Sequence, residues 1–296
     1  LCNWMIDADD DADTCRACRL NVSQPENPSA EDHENLRIME SAKRRLLFTL
    51  GGLGLSVVPR SVDPRGLAFS LASSTSDEKV TIGHAQGLIT LDLAEANPVS
   101  RERTRVALGE NYRTVLGHFR HESGHYFWDR LVADTPALEE FRALFGDEQA
   151  DYSSALERHY STPAPFDPDR FITPYATAHP WEDFAETWAH YIHLVDTWET
   201  AQCFGLAPPA STQDTTTDFE RRLAQWTELM IAMNSLNRSM GQADPYPFAI
   251  GPGVVTKLEF IERLIHAPHA TLPTENDSAP HSTPLGSSTS SDARVA

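Results

Sequence analysis

The chain has 296 residues, 40% hydrophobic and 23% charged, with 43 acidic against 24 basic side chains and a formal net charge of −19. That length supports one large or two small domains with a substantial core. The acidic surplus argues against a nucleic-acid partner, which needs a basic footprint on its phosphates, and no apolar run reaches the roughly 20 residues of a bilayer span.

The first residues, Leu1-Cys2-Asn3-Trp4-Met5-Ile6, lack the basic-then-apolar order of a secretory signal and an initiator Met. The chain is therefore expected to begin partway into a longer protein, in a reducing cytoplasm. Of four cysteines, Cys2, Cys15 and Cys18 crowd into the first eighteen residues and only Cys203 lies elsewhere. This suggests metal ligation over a disulfide framework. Residues 1–34 read as a loop-rich, metal-binding segment. Helical spacing follows over Asn35 to about Leu50, ending at Gly51-Gly52. Leu67–Leu71 is a candidate strand. Val80–Gly83 and Leu88–Leu93 flank His84-Ala85-Gln86-Gly87, which reads as a hairpin turn, and the second run alternates as on a half-buried strand. Helices are expected at about 100–108, 110–132, 136–144, 147–160, 180–200, 217–240 and 253–266, interrupted by the proline-rich stretch Thr162–Pro168. From about Thr271 the composition turns to Ser, Thr, Pro, Asn and Asp, and the tail 271–296 is expected to be disordered.

One helical run carries His121-Glu122-Ser123-Gly124-His125. Positions i and i+4 lie one turn apart on one face, so both imidazoles can reach a common zinc ion. Glu122 stands beside them, placed to take a proton from a metal-activated water. Gly124 permits close approach of neighbouring structure. A catalytic zinc needs a third protein ligand and one open position. The extended form His-Glu-x-x-His-x-x-Gly-x-x-His fails, because its last two positions are Trp128 and Leu131. The candidates are Glu182 and Glu186, one turn apart on a later helix that begins at Pro180. First-turn carboxylates are favoured by the helix dipole in any case. Like charges at i and i+4 repel, however, and beside the apolar stripe of Trp181, Phe184, Trp188, Ile192 and Val195 this pair calls for cationic partners. One Glu would bind zinc and the other would orient a ligand imidazole, that of His121; helix geometry alone leaves the order open. His118 shares the face of His121 and His125, either lining the cleft or acting as a satisfied polar residue near the helix start.

Several stretches resemble the zinc-binding metallopeptidases that carry an N-terminal zinc-ribbon segment. They are Cys2-Asn3-Trp4, Cys15–Asn21, Glu34–Arg37, Ala42–Leu46, Gly83–Thr90, Tyr112–Tyr126 and His179–Tyr191. The resemblance implies a predominantly helical α+β fold: a zincin-like domain over 35–270 with a small antiparallel sheet, preceded by a partial zinc-ribbon segment at 1–34. Glu182-Asp183-Phe184-Ala185-Glu186 is also similar to the Glu-x-x-Ala-Glu motif of lethal-factor-type gluzincins. That similarity implies Glu182 as the zinc ligand and Glu186 as the support of a histidine. Those enzymes place an oxyanion-stabilising Tyr seven residues before the ligand Glu, here Tyr175; a packed loop tyrosine is the plain alternative. By the same zincin analogy, the strand near Leu88–Leu93 would line the cleft and pair with an extended peptide.

Cys15-Arg16-Ala17-Cys18 forms half of a zinc knuckle, and Cys2 offers a third thiolate. A structural zinc wants four ligands, so the fourth is expected upstream of residue 1, with His33, Cys203 or no metal as the alternatives. The expected activity is zinc-dependent hydrolysis of peptide bonds, with Glu122 as general base and a peptide or protein as substrate. The rival is a non-catalytic zinc-binding interaction protein, against which an intact Glu122 argues.

Overall fold

The computed structural model describes residues 2–6, 8, 13–55, 57–74, 80–209 and 219–267. The segment 271–296, expected to be disordered, lies outside them, as do positions 217 and 218 of one expected helix. After a four-residue helix α1 (Arg16–Arg19) comes a short strand β1 (Asn21–Ser23). The long helix α2 (Ala30–Gly52) follows. It begins earlier than its apolar spacing suggests, because Ser29 and Asp32 form a capping box that satisfies the first backbone N–H groups. Lys43, fully buried on α2, pairs with Glu40 at 2.9 Å and bonds Asn21, fastening β1 to the helix.

Three further strands complete the sheet: β2 (Ala68–Ala72), β3 (Gly83–Ala85) and β4 (Leu88–Asp92). The sheet is mixed and not antiparallel as expected. Its order is β1-β2-β4-β3, with β1 parallel to β2, β2 parallel to β4, and only β3 antiparallel to β4. The cause is α2, a crossover long enough to return β2 alongside β1 in the same direction. The hairpin is also shifted from the expected register. His84 and Ala85 belong to β3, and the turn is Gln86-Gly87, with φ of 49° and 83°, a two-residue turn that requires positive φ at both positions. A Cβ at Gly87 would stand 2.4 Å from the Gly66 carbonyl, so only glycine fits. Ile89 and Leu91 are fully buried and alternate with half-buried neighbours, as the sequence alternation of β4 implies.

The remainder is helical: α3 (Pro98–Leu108), α4 (Val115–Leu131), α5 (Ala137–Phe145), α6 (Tyr152–Ser161), α7 (Pro180–Cys203), α8 (Phe219–Ser239) and α9 (Pro252–His266). α4 starts five residues later than expected. Thr114 caps it by accepting from the Gly117 N–H, and Arg113 is held outside the helix by Glu95 and Glu110. Likewise α6 starts at the cap Asp151, whose side chain accepts from the Ser154 N–H. α4 packs chiefly on α7 and also on α2. Phe119 meets Phe69 of the sheet edge-on at 5.5 Å, and on the other side Phe127 stacks on Trp188 at 4.8 Å. α9 closes the far side of α7. Among the described residues no helix is long and apolar enough to cross a membrane.

Candidate metal centre

The close pairing of α4 with α7 brings the chemistry together, and Gly124 permits it. A Cβ there would lie 2.8 Å from the Ala185 Cα and 3.2 Å from the Trp188 side chain. The two helices are further locked by the Trp188 indole N–H, which donates to the Ser123 hydroxyl at 3.0 Å. Gly124→Ala is expected to push α7 outward, at about 1–3 kcal/mol of packing strain. Because α4 carries the histidines and α7 the glutamates, metal affinity should fall on the order of tenfold, as when a partner supporting a ligand is lost. Chelator competition and thermal unfolding check this; an unchanged affinity would show that the helix spacing does not govern the site.

At this crossing the ligand-capable atoms of His121, His125 and Glu182 lie within 4.8 Å of one another. Glu182 Oε2 is 3.0 Å from His121 Nε2 and 3.5 Å from His125 Nε2. Glu186 meets the opposite face of His121, accepting from Nδ1 at 2.6 Å, while the Thr173 hydroxyl donates to its other oxygen at 2.7 Å. Burial alone would lower the His121 pKa, but its hydrogen bonds to Glu182 and Glu186 raise it well above the usual value. Burial acts in the opposite sense on Glu182, yet both histidines hold its carboxyl well below the usual range. Two carboxylates converging on one imidazole thus demand a positive charge, which a proton on His121 or a metal ion can supply.

Glu122 is buried, and its Oε2 has no hydrogen-bond partner among the described residues. Burial raises its pKa, with the histidines opposing. Tyr175, on a 3-10 turn (Tyr175–Thr177), has its ring 5.9 Å from that of His121. Burial and the charge of Glu182 hold its phenol above the usual range. Among the described residues His118 makes no hydrogen bond through Nδ1, which stands 3.6 Å from Glu95 Oε2, and burial pushes its pKa down to about 3. It is neutral and does not join the ligand cluster.

Three neighbours escaped the sequence reading in these roles. Tyr152 donates its hydroxyl to Glu182 Oε1 at 2.6 Å. Thr173 holds Glu186. His84, on β3, stacks on His125 with ring centres 6.4 Å apart and accepts the Gly87 N–H on Nε2. All come from segments whose spacing to the metal motif carries no periodic signal. The strand expected to pair with an extended peptide, β4, is itself paired on both sides, by β2 and β3, and β3 is one edge of the sheet.

A second cluster of ligand-capable atoms joins Cys2, Cys15 and Cys18. Cys2 and Cys15 Sγ are 3.4 Å apart, and burial with the neighbouring thiols pushes Cys18 up to about 12. Neither His33 nor Cys203 joins this cluster among the described residues.

Two imidazole nitrogens and a carboxylate oxygen within reach of one point, with the buried Glu122 carboxylate alongside, fit zinc by donor chemistry and define the class as a candidate zinc site of two His and one Glu. The chain belongs to the family described as "Putative zinc-binding metallo-peptidase", whose profile matches residues 32–264. It is 44% identical over 271 residues to proteins described as uncharacterized from Mycobacterium bovis and from two strains of Mycobacterium tuberculosis, covering 89% of this chain and 79% of each relative. No solved structure matches it.

Proposed function

We propose that this chain is a gluzincin-type peptidase that hydrolyses peptide bonds in a peptide or protein substrate, with His121, His125 and Glu182 as its zinc ligands. The observation that carries the reading is the convergence of those three side chains beside the buried Glu122 carboxylate, whose Oε2 has no partner among the described residues. A zinc ion held there would polarise the scissile carbonyl and lower the pKa of a bound water. Glu122 accepts the proton of the attacking water and returns it to the leaving amine, and its burial makes it a stronger base than an exposed carboxylate. Tyr175, kept protonated, donates a hydrogen bond to the developing oxyanion. Glu186, steadied by Thr173, fixes the ring of His121. An extended substrate would add along the edge strand β3, whose His84 stacks on His125. Cys2, Cys15 and Cys18 would hold a separate structural zinc if a fourth ligand were supplied.

Zinc content and cleavage of a broad peptide library, measured on the wild type, Glu182→Ala and Glu186→Ala, test this. Glu182→Ala should lose the ion of this site and all cleavage. Glu186→Ala should retain the ion with affinity lowered about 10–100-fold. Full zinc in Glu182→Ala would remove the ligand assignment, and a zinc-loaded wild type that cleaves nothing would favour a non-catalytic interaction protein.

A further inference from the structure

Glu182 has two oxygens, and the structure uses them differently. Oε2 faces both imidazoles, whereas Oε1 accepts the Tyr152 hydroxyl at 2.6 Å. A charge-assisted bond of that length is among the stronger ones in a protein. Tyr152 is itself held in place. Its ring lies edge-on to His179 at 5.2 Å and 5.9 Å from Trp181. His179 caps α7 by accepting the Trp181 N–H on Nδ1, so its Nε2 carries the proton and donates to the Ala150 carbonyl at 3.0 Å. Ala150 immediately precedes the α6 cap, Asp151. The beginnings of α6 and α7 are therefore fastened together, and the first residue of α6 meets the first turn of α7.

We propose that Tyr152 is a positioning residue that restricts Glu182 to one metal-facing oxygen, Oε2, by occupying Oε1. A carboxylate that presented both oxygens would fill the coordination position that a catalytic zinc must leave open to its substrate. The inference rests on Glu182 being a ligand, and the test separates the two statements.

Zinc affinity by chelator competition, and the carboxylate stretches of the zinc-loaded protein by infrared difference spectroscopy, are measured on the wild type, Tyr152→Phe and Glu182→Ala. In the wild type, the band lost in Glu182→Ala should show the wide antisymmetric–symmetric splitting of a one-oxygen ligand. Tyr152→Phe should narrow that splitting and weaken zinc binding about tenfold or more. A merely structural role would lower the Tm of metal-free and loaded protein alike and leave the bands in place. Unchanged bands and affinity in Tyr152→Phe, with zinc lost in Glu182→Ala, overturn the role of Tyr152 and leave the ligand assignment standing. Zinc retained in Glu182→Ala overturns the assignment itself. If Tyr152→Phe does not fold, the wild-type spectrum decides: a narrow, two-oxygen splitting there overturns the proposal.

Discussion

At pH 8 Lys257→Met is expected to destabilise the protein by about 3–5 kcal/mol, the cost of leaving a buried charge without its partner. Lys257, on α9, donates to Asp183 Oδ2 at 2.6 Å and to the Arg170 carbonyl at 2.7 Å, and lies 4.6 Å from the centre of the Phe171 ring. The two charged side chains are only 6% and 1% exposed. Against the roughly 5–15 kcal/mol that holds a domain folded, the loss is large, and Tm should fall on the order of 10 °C. Burial outweighs the pull of Lys257 and pushes the Asp183 carboxyl up to about 7 from an ordinary 3.8. A carboxyl raised on folding contributes its full stability below the unfolded value and loses it as pH rises through the folded one. Without Lys257 the folded value climbs further, so the deficit of Lys257→Met should be greater at pH 8 than at pH 5. Urea unfolding at both pH values checks the sign; equal losses would contradict it. The double variant Asp183→Leu with Lys257→Met should recover most of the stability, because an apolar pair avoids the desolvation of both charges.

Glu122→Gln should lower turnover about 10²–10⁴-fold, the usual share of a general base, and leave zinc in place. Glu122 lies outside the cluster of ligand atoms, and the amide nearly matches its volume. Metal analysis beside peptide cleavage distinguishes the outcomes. Full zinc with undiminished cleavage would take the base role from Glu122. Loss of zinc would instead mean that its carboxylate helps to hold the ion.

Much of the site was legible because its strongest signals are local. His121 and His125 lie one turn apart on any α-helix, and so do Glu182 and Glu186; no tertiary information is needed to see that each pair faces one way. Pro180 and the following acids mark the start of α7 for the same reason. The edges of elements were less legible, since caps decide them. Thr114 and Arg113 hold back α4, and Ser29 with Asp32 extends α2, each through a side-chain bond that apolar periodicity does not register. The parallel strands were invisible: β1 is Asn21-Val22-Ser23, too short and too polar to show alternation, and its pairing depends on where α2 delivers β2.

What the sequence determined by itself, then, is which residue types share a helical face: two imidazoles with Glu122 on one helix, two carboxylates on another. Only the tertiary structure decided how those faces meet. Gly124 sets the approach of α4 to α7, placing Glu182 against both histidines and Glu186 behind His121. It also brought in Tyr152, Thr173 and His84 from unrelated segments. The physical reason is range. Backbone hydrogen bonding fixes side-chain direction within a few residues, whereas contacts between elements depend on packing around a shared core, to which the whole chain contributes.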